Sequence, residues 1–278
     1  MHEFPVVDIL LSTYNGEKYL EELITSLVNQ SWTHWQLTVR DDGSTDRTPE
    51  MIKECAEKFP GRIFLLEDGK SRLGPTLSFA SLLENCRNNY MMLCDQDDVW
   101  LQNKVEMTLD AMLRLEDQYP GKPLMVFTDL IEVDEKLRVL SGSFMKSQRL
   151  FPSVIHDPAR LAALNVVAGC TTMINRPALG AILPIRSRFV THDQWMAVAV
   201  ARHGKISYLN VPTILYRQHA ANVLGSKKVG VRYFSEKLSR PLKQFRIYSD
   251  LIRGNSFRIN PFKFLFYKSF YTIKRLLY

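Results

Sequence analysis

The segment "MMLCDQDDVW" (residues 91–100) sets an apolar run, with the composition of a buried strand, directly against three carboxylates. Neighbouring carboxylates repel each other, and removing them from water is costly unless a cation or hydrogen-bond donors compensate. Asp95 and Asp97, two residues apart at the end of a strand, suit a hard divalent cation that also holds phosphate oxygens. Alternatively, Asp97 or Asp98 caps a helix that begins near Val99. A cap needs only one acid, so three acids favour the metal site.

Outward from this segment, strand-like and helical patterns alternate along the first half of the chain. This rhythm predicts parallel strands joined by right-handed helical crossovers, as in a Rossmann-like sheet. In such sheets, ligands bind beyond the carboxyl ends of the strands. We therefore expect the polar loops "STYNG" (12–16), "DDGSTD" (41–46), "EDGKSRLG" (67–74) and "DQDD" (95–98) to line one site. The predicted strands are 6–11, 36–40, 62–67 and 90–94, and the predicted helices are 19–30, 49–59 and 75–86.

The second half of the chain has less regular patterns. There is no internal repeat and no low-complexity linker, so we expect one compact domain of about 220 residues. Residues 124–134 indicate one strand or two, residues 168–176 a short strand, residues 192–204 a helix, and residues 205–219 two short strands around Pro212.

The composition is that of an ordinary folded protein. Of its 278 residues, 46% are hydrophobic and 23% are charged. No apolar run approaches the roughly 18 residues of a membrane-spanning helix, and the start "MHEFPVVDILLSTYNG" lacks the pattern of a signal peptide, so we expect none. The four cysteines are far apart without a CxxC pair, which favours reduced thiols in a cytosolic protein over disulfides or a zinc site. They are Cys55, Cys86, Cys94 and Cys170.

Positive charge is concentrated at the carboxyl end. Residues 227–278 hold 13 Lys and Arg against two acids, a net charge of +11, whereas residues 1–226 have a net charge of −4. Phe, Tyr, Leu and Ile alternate with these cations, a composition suited to an amphipathic segment on an anionic membrane surface. The alternative is a helical tail packed on the domain or on another subunit. Nucleic-acid binding is disfavoured because the body that carries the expected site is acidic.

Two loops offer groups for a nucleotide. In "STYNG", backbone N–H groups after the first strand can hold a phosphate or a base, although an ordinary loop with a Ser or Thr cap has the same composition. In "DDGSTD", an acid after the second strand can hold a ribose hydroxyl, as in Rossmann-like nucleotide sites. Asp-Gly is also strong turn chemistry, and such a turn can present Asp41 or Asp42.

The segments "THDQW" (191–195) and "LYRQH" (215–219) supply further polar side chains at the ends of elements. Asp193 stands with a histidine at the start of a helix, where an acid also serves as a cap. Arg217 and His219 follow the last predicted strand, where such residues also serve in packing or on the surface. Each of these two patterns, taken alone, favours the structural interpretation.

Taken in order, these motifs resemble the inverting GT-A-fold glycosyltransferases of family 2 type, over roughly residues 6–222. The motifs are "STYNG", "DDGSTD", "LG" before a helix at 73–74, "DQDDVW", "HDQW" and "YRQH". Several motifs in one order are far harder to obtain by chance than any one of them. The combination "DQDDVW … HDQW … YRQH" is most similar to bacterial rhamnosyltransferases of O-antigen, capsule and cell-wall polysaccharide synthesis, which use dTDP-L-rhamnose.

The resemblance implies a role for each motif. Asp95 and Asp97 would form the DxD element that holds Mg²⁺ or Mn²⁺ against the diphosphate, with His219 near the metal. Asp193 would be the catalytic base. The nucleotide-sugar site would contain Thr13, Tyr14, Asp41, Asp42, Gly74, Asp95, Gln96 and Arg217.

The resemblance to these glycosyltransferases also implies a fold and an activity. The fold would be an α/β GT-A fold, a mostly parallel Rossmann-like sheet flanked by helices. Residues 1–222 would form the glycosyltransferase domain, with a nucleotide-binding half (1–100) and an acceptor-binding half (101–222), followed by a basic amphipathic helical extension (223–278). The enzyme would transfer a single sugar with inversion from a dTDP- or UDP-sugar to a saccharide or polyprenyl-linked acceptor. We expect it in the cytoplasm at the inner face of the plasma membrane, as a monomer or an oligomer.

Other functions fit the sequence less well. Processive polysaccharide synthases carry a Gln-x-x-Arg-Trp motif and membrane helices, which this sequence lacks. A nucleotidyltransferase would carry a GxGxR-type loop after the first strand and a dehydrogenase GxGxxG, and "STYNGEKY" supplies neither. A non-catalytic sugar-nucleotide-binding protein would not need both metal ligands and a base. Transfer of glucose, galactose or N-acetylhexosamine from a UDP-sugar is the alternative to rhamnose.

Overall fold

A nine-stranded mixed β-sheet forms the centre of the computed structural model, which describes residues 4–187, 189–219, 246–251 and 260–277. The strands are β1 (Val7–Thr13), β2 (Trp35–Asp41), β3 (Ile63–Leu65), β4 (Tyr90–Asp95), β5 (Val99–Trp100), β6 (Leu124–Val133), β7 (Val139–Ser141), β8 (Thr172–Asn175) and β9 (Lys205–Arg217). Their order across the sheet is β3-β2-β1-β4-β8-β6-β9-β5, and β7 pairs with β6.

Helices cover both faces of this sheet. They are α1 (Leu20–Val28), α2 (Thr48–Lys58), α3 (Pro75–Asn85), α4 (Lys104–Gln118), α5 (Phe144–Ser147), α6 (Pro158–Ala163), α7 (Arg176–Ile182), α8 (His192–His203) and α9 (Pro261–Leu277). Two 3₁₀ turns lie at Pro152–His156 and Gly169–Thr171, and residues 246–251 are also helical. Within the described residues, no helix is long and apolar enough to cross a membrane.

The first half of the chain forms the predicted parallel sheet. β1 pairs in parallel with both β2 and β4, and β2 pairs in parallel with β3. Successive side chains of β4 enter opposite cores: Met91 and Leu93 pack on the side of α3 and α8, whereas Met92 and Cys94 pack on the side of α1 and α4. Because both faces are buried, the strand needs an uninterrupted apolar sequence. This burial explains the apolar run that precedes the acids.

The second half departs from the predicted pattern in one strand. Residues 205–217 form the single strand β9, parallel to β6, and not two short strands around Pro212. The pairing shifts register where Asp129 of β6 faces Pro212. A proline has no N–H to donate, so it is accommodated where the ladder is irregular.

The start of α4 excludes one alternative for the acidic segment. Residues 99–100 are not the beginning of a helix but strand β5, which pairs with β9. The helix α4 begins at Lys104. The proposed cap of a helix near Val99 by Asp97 or Asp98 is therefore wrong.

The predicted extension 223–278 lies largely outside the described residues. Within it, α9 packs against α6, and its buried side chains are Phe264, Tyr271 and Arg275. Residues 246–251 are docked as well, with Tyr248 and Leu251 in the core.

Candidate active site

The carboxyl ends of β1, β2 and β4 lie at one edge of the sheet. In the parallel ladder, Thr13 of β1 is level with Asp41 of β2, and Ser12 is level with Asp95 of β4. The loops that follow these strands therefore emerge side by side. This is the arrangement that the sequence predicted for a ligand site.

Asp41 holds the turn that follows β2. Its Oδ1 accepts from the Thr13 hydroxyl at 2.9 Å, and its Oδ2 accepts from the backbone N–H groups of Gly43 and Ser44 at 3.0 and 2.8 Å. Gly43 has φ of 89°, a conformation that favours glycine. The Asp-Gly turn is thus present, and contact of Asp41 with a nucleoside stays a prediction.

Asp42 anchors the loop between β3 and α3. It is buried at 6% exposure, with Oδ1 accepting from Arg40 Nη1 and Leu73 N, and Oδ2 accepting from Gly74 N, each at 2.8 Å. Burial opposes ionisation of Asp42, but the hydrogen bonds from Arg40 and the two amides outweigh it and lower its pKa. Both oxygens are engaged, which favours loop anchoring, and its contact with a nucleoside also stays a prediction.

Arg40 and Asp68, which were not predicted from the sequence, complete this anchor. Arg40 is fully buried, and its Nε donates to Asp68 Oδ2 at 2.9 Å while Nη1 also donates to Ser78 Oγ at 2.9 Å. The hydrogen bond from Arg40 lowers the pKa of Asp68, although burial opposes this shift. The sequence did contain a signal for this pair: Arg40 is the lone charged residue in the predicted strand 36–40, and Asp68 lies in the polar loop after the next strand.

Gln96 joins the loop after β1 to the loop after β4. Its Oε1 accepts from Tyr14 N at 2.8 Å and its Nε2 donates to Tyr14 O at 3.0 Å. A Cβ at Gly16 would lie 2.5 Å from Gln96 Oε1, so the glycine makes room for this amide. The Tyr14 ring is half exposed (51%) and available to a ligand, whereas the Gln96 amide is engaged by the protein.

Negative charge accumulates where β4 ends. Burial, and next the charge of Asp97, raise the pKa of Asp95 to about 7, and the same two causes raise the pKa of Asp98. Asp98 is buried, its Oδ1 accepts from Arg217 N at 3.4 Å, and its Oδ2 has no hydrogen-bond partner among the described residues. Among the described residues, one oxygen of this acidic cluster therefore lacks a hydrogen-bond donor.

Candidate ligand atoms of Asp95, Asp98 and Cys170 all lie within 4.8 Å of one another. Burial raises the pKa of the Cys170 thiol, so the sulfur stays protonated and is a poor metal ligand. All four cysteines are free thiols, as predicted. The oxygens of the cluster, and not the sulfur, fit a hard divalent cation.

His219 lies beside Asp97, although 122 positions separate the two in the chain. The distance between His219 Nε2 and Asp97 Oδ2 is 2.7 Å, and both side chains are mostly buried. The Tyr19 ring packs at 5.0 Å from the imidazole. The structure therefore brings together the DxD acid and the histidine of the "YRQH" segment, two of the expected metal ligands.

Arg217 binds the protein with each nitrogen of its guanidinium. Nε donates to Asp97 O at 3.0 Å, Nη1 donates to Glu135 O at 2.7 Å, and Nη2 contacts the Glu22 carboxylate closely. The guanidinium also lies over the Tyr19 ring, 4.7 Å from its centroid, and the residue is 2% exposed. These contacts favour a positioning role over the predicted contact with the diphosphate.

Asp193 occupies the first turn of α8, next to the acidic cluster. Its Oδ1 accepts from Gln194 N at 2.6 Å and, in a close contact, from the Thr191 hydroxyl. A Cβ at Gly169 would lie 3.7 Å from Asp193 Cβ, and the sulfur of the next residue, Cys170, lies within 4.8 Å of an Asp95 oxygen, so the two carboxylates are at the same edge. His192 turns inward, with its ring 4.3 Å from that of Phe79, and burial lowers its pKa. This histidine is therefore neutral at pH 7.

This geometry separates two kinds of chemistry. One group, at the end of β4, collects oxygens and an imidazole suited to a cation. The other group, at the start of α8, is the Asp193 carboxylate, which could act on a substrate bound between α8 and the end of β4. A Rossmann-like parallel half that continues into a mixed sheet, with acids at the carboxyl edge, defines the GT-A class of nucleotide-sugar enzymes.

The sequence profile of glycosyl transferase family 2 matches residues 8–182, and the chain belongs to this family. The chain is 30% identical over 227 residues to the UDP-Glc:alpha-D-GlcNAc-diphosphoundecaprenol beta-1,3-glucosyltransferase WfgD of Escherichia coli, covering 80% of this chain and 81% of that protein. It is 25% identical over 227 residues to the dTDP-rhamnosyl transferase RfbG of Shigella flexneri, covering 78% and 74%. It is 29% identical to the putative teichuronic acid biosynthesis glycosyltransferase TuaG of Bacillus subtilis; this match spans 64% of this chain and 65% of TuaG, slightly less than two thirds of each.

Solved structures share the fold. S. aureus TarS 1-349 in complex with UDP-GlcNAc has a TM-score of 0.60 and 18% identity, covering 97% of this chain and 72% of that one. The mannosyltransferase PcManGT from Pyrobaculum calidifontis, in complex with GDP-Man and Mn²⁺, has a TM-score of 0.62 and 16% identity, covering 98% and 70%. At these identities the likeness concerns the fold alone. The predicted α/β GT-A fold is confirmed.

Proposed function

We propose that this protein transfers one sugar, with inversion, from a nucleotide-sugar to an acceptor in cell-surface polysaccharide synthesis. The observation that carries the proposal is the placement of Asp95, Asp97 and His219 near Asp193 at one edge of the sheet. The donor that we favour is dTDP-L-rhamnose, because of the motif combination "DQDDVW … HDQW … YRQH". The relative RfbG, named a dTDP-rhamnosyl transferase, supports the same choice.

Asp193 serves as the catalytic base in this proposal. The acceptor oxygen attacks the anomeric carbon, the bond from that carbon to the diphosphate breaks on the opposite face, and the hydroxyl proton passes to the Asp193 carboxylate. A positioned base contributes about 10²–10⁴-fold to such a rate. The hydroxyl of Thr191 and the amide of Gln194 hold Oδ1 and thereby orient the carboxylate.

Asp95, Asp97 and His219 are the residues that would hold Mg²⁺ or Mn²⁺. One Asp98 oxygen has no hydrogen-bond partner within residues 4–187 and the other described ranges, and the pKa of Asp95 is raised, so a cation would stabilise this region. When bound, the metal supplies positive charge to the leaving diphosphate, worth roughly several kcal/mol. Carboxylate oxygens suit both ions, so the choice between them rests on measurement.

The acceptor that we propose is a saccharide, including one linked to a polyprenyl diphosphate. The E. coli relative is named for a diphosphoundecaprenol acceptor, which supports a lipid-linked substrate. Such acceptors are presented at the cytoplasmic face of the plasma membrane, where we place this enzyme. The net charge of +11 in residues 227–278 favours that surface.

A second candidate is transfer of glucose or another hexose from a UDP-sugar. The same E. coli relative, which is named for UDP-Glc, favours it. Asp193 and the metal ligands would keep the same roles, since both donors present a sugar diphosphate; the donors differ in the nucleobase, in the ribose 2′-hydroxyl and in the transferred sugar.

The test is a donor panel of dTDP-L-rhamnose, UDP-glucose, UDP-galactose and UDP-N-acetylglucosamine, with Mg²⁺ or Mn²⁺ and a membrane extract as acceptor source. We expect nucleoside diphosphate release from dTDP-L-rhamnose, and at least about 100-fold less with Asp193→Asn. Donor binding by the variant, measured by calorimetry, should be retained. Formation of sugar 1-phosphate and a nucleoside triphosphate on addition of pyrophosphate would indicate a nucleotidyltransferase, and donor binding without any release would indicate a non-catalytic protein.

A further inference from the structure

The helix α9 has one face that is fixed to the catalytic domain. Phe264, Tyr271 and Arg275 are buried there. Lys268 Nζ donates to Ala163 O at 2.8 Å, and Arg275 Nε donates to Gln148 O at 3.0 Å. The helix is thus held by apolar burial together with hydrogen bonds to backbone carbonyls.

The opposite face of α9 is apolar and exposed. Its side chains range from 46% to 84% exposure, a high value for large hydrophobic residues. Contiguous exposed apolar surface of this kind usually marks an interaction site. We call it the outer face, and it consists of Phe262, Leu265, Phe266, Phe270, Ile273 and Leu277.

The charges of α9 identify what covers the outer face. The helix contains four Lys and Arg and no acid. Lys263 and Lys274 are exposed and eleven residues apart, about three helical turns, so they flank the outer face on the same side. A second copy of α9 would bring no carboxylate to these lysines, and the two cationic helices would repel each other. The phosphates of a lipid surface would satisfy both the lysines and the apolar side chains.

We propose that α9 lies in the plane of an anionic lipid surface, with the outer face inserted and the lysines at the phosphates. The helix is 17 residues long, about 25 Å, and it runs along the surface instead of crossing it. The buried face keeps the catalytic domain attached to the helix.

The contacts of α6 connect α9 to the start of α8. The carbonyl of Ala163 accepts from Lys268 of α9, and the preceding carbonyl, of Ala162, accepts from Gln194 Nε2 at 2.8 Å. Gln194 follows Asp193, the proposed base. The start of α8 therefore lies within about two helix spacings, roughly 20 Å, of α9. Together with the proposed function, on which this step rests, the short separation favours lipid-linked saccharides of the same leaflet as acceptors.

The test of the lipid surface is co-flotation of the full chain with vesicles of phosphatidylglycerol and phosphatidylcholine, compared with phosphatidylcholine alone. We expect binding only to the anionic vesicles, and at least a tenfold loss with the triple variant Phe266→Ser, Phe270→Ser, Ile273→Ser. Lys263→Gln should weaken binding about fivefold. The control is Val139→Ser with Leu140→Ser, two exposed apolar residues of β7, which should bind like the wild type.

Equal vesicle binding by the triple variant and the wild type would overturn the proposal. So would a dimer of the wild type that the triple variant abolishes, if neither binds vesicles. Thermal unfolding of the triple variant should match the wild type, because the substituted side chains are exposed. The assay needs neither donor nor acceptor, so a failure of the proposed sugar transfer leaves this result unaffected.

Hydrogen exchange on the anionic vesicles tests the orientation. We expect slower exchange in α9, because its outer face is inserted. Exchange in α2 should not change. Protection of α2 without protection of α9 would show that another side of the domain faces the lipid.

Discussion

Asp97 Oδ2 lies 2.7 Å from His219 Nε2, and this contact joins the loop after β4 to the residues just beyond β9. The two side chains come from opposite halves of the chain, so the acidic edge is complete only after the whole sheet has formed. A carboxylate and an imidazole at this distance can share a proton or bind one cation together. The pair is therefore the most direct place to test the metal hypothesis.

The first prediction concerns this pair. Asp97→Ala and His219→Ala should each weaken Mn²⁺ binding, measured by calorimetry, and lower sugar transfer by at least about 100-fold, since a bound metal contributes several kcal/mol. Excess EDTA should have the same effect on the wild type. The matched control is Asp110→Ala, an exposed acid on α4, which should leave both measurements unchanged. Full activity in EDTA would refute the metal hypothesis.

The second prediction separates positioning from ligand binding at Arg217. Because its guanidinium contacts Glu22 and the carbonyls of Asp97 and Glu135, Arg217→Gln should lower the free energy of unfolding by about 1–3 kcal/mol. Metal affinity should fall as well, because the loop at Asp97 loses its support. Chemical denaturation and Mn²⁺ titration measure the two effects.

The control for Arg217 is Arg138→Gln, which removes an exposed ion pair with Asp134 and should change stability by less than about 1 kcal/mol. A variant at Arg217 with wild-type stability and metal binding, but without affinity for a nucleoside diphosphate, would show that the arginine is a direct ligand.

The parallel half of the fold could be predicted from the sequence because its signals are local. Strands buried on both faces need continuous apolar runs, and the helices between them need a period of 3.6 residues. The carboxyl ends of such strands meet at one edge of the sheet, so the location of the acidic loops could be predicted without knowing any side-chain contact. For the same reason, the sequence placed Asp95 and Asp97 at the site.

The remaining features depend on contacts between distant segments. Pro212 indicated a break in a strand, but a register shift opposite Asp129 keeps β9 continuous. From the sequence, Arg217 and Gln96 were both predicted to bind the ligand. In the folded chain, Arg217 contacts Glu22 and Gln96 is hydrogen-bonded to the backbone of Tyr14. Residue type and spacing contain no information about such partners.

The third prediction concerns the buried amine of Lys104. Its Nζ has no hydrogen-bond partner among the described residues and lies 4.5 Å from the Trp100 ring centroid. Burial lowers its pKa from 10.5 to about 8. Between these values the folded amine is neutral while the unfolded amine still binds a proton, so this residue makes stability rise with pH. Below pH 8 the Lys104 amine is charged in both the folded and the unfolded state, and the full cost of burying its charge lowers the stability of the fold.

Lys104→Met should therefore raise the free energy of unfolding at pH 7, because an apolar chain of similar length fills the same space. The difference between variant and wild type should shrink as the pH rises from 8 to 10.5. Urea denaturation at several pH values measures it, with Lys53→Met on the exposed side of α2 as control. A variant that is less stable than the wild type at pH 7 would mean that the amine is paired with a buried charge.

The last prediction tests how the start of α8 is held. A Cβ at Gly169 would lie 2.6 Å from His192 Nε2 and 3.7 Å from the Asp193 Cβ, and the His192 ring cannot easily withdraw because it packs on Phe79. Gly169→Ala should shift the first turn of α8 by a fraction of an ångström to about 1 Å and lower kcat by up to about 100-fold. Donor affinity should persist, since the loops that we predict to bind the nucleotide follow β1, β2 and β4. Gly142→Ala, where a Cβ meets nothing within 4 Å, is the control and should keep wild-type kcat. If Gly169→Ala also keeps the wild-type kcat, then the position of Asp193 does not control the reaction, and the base must be sought elsewhere.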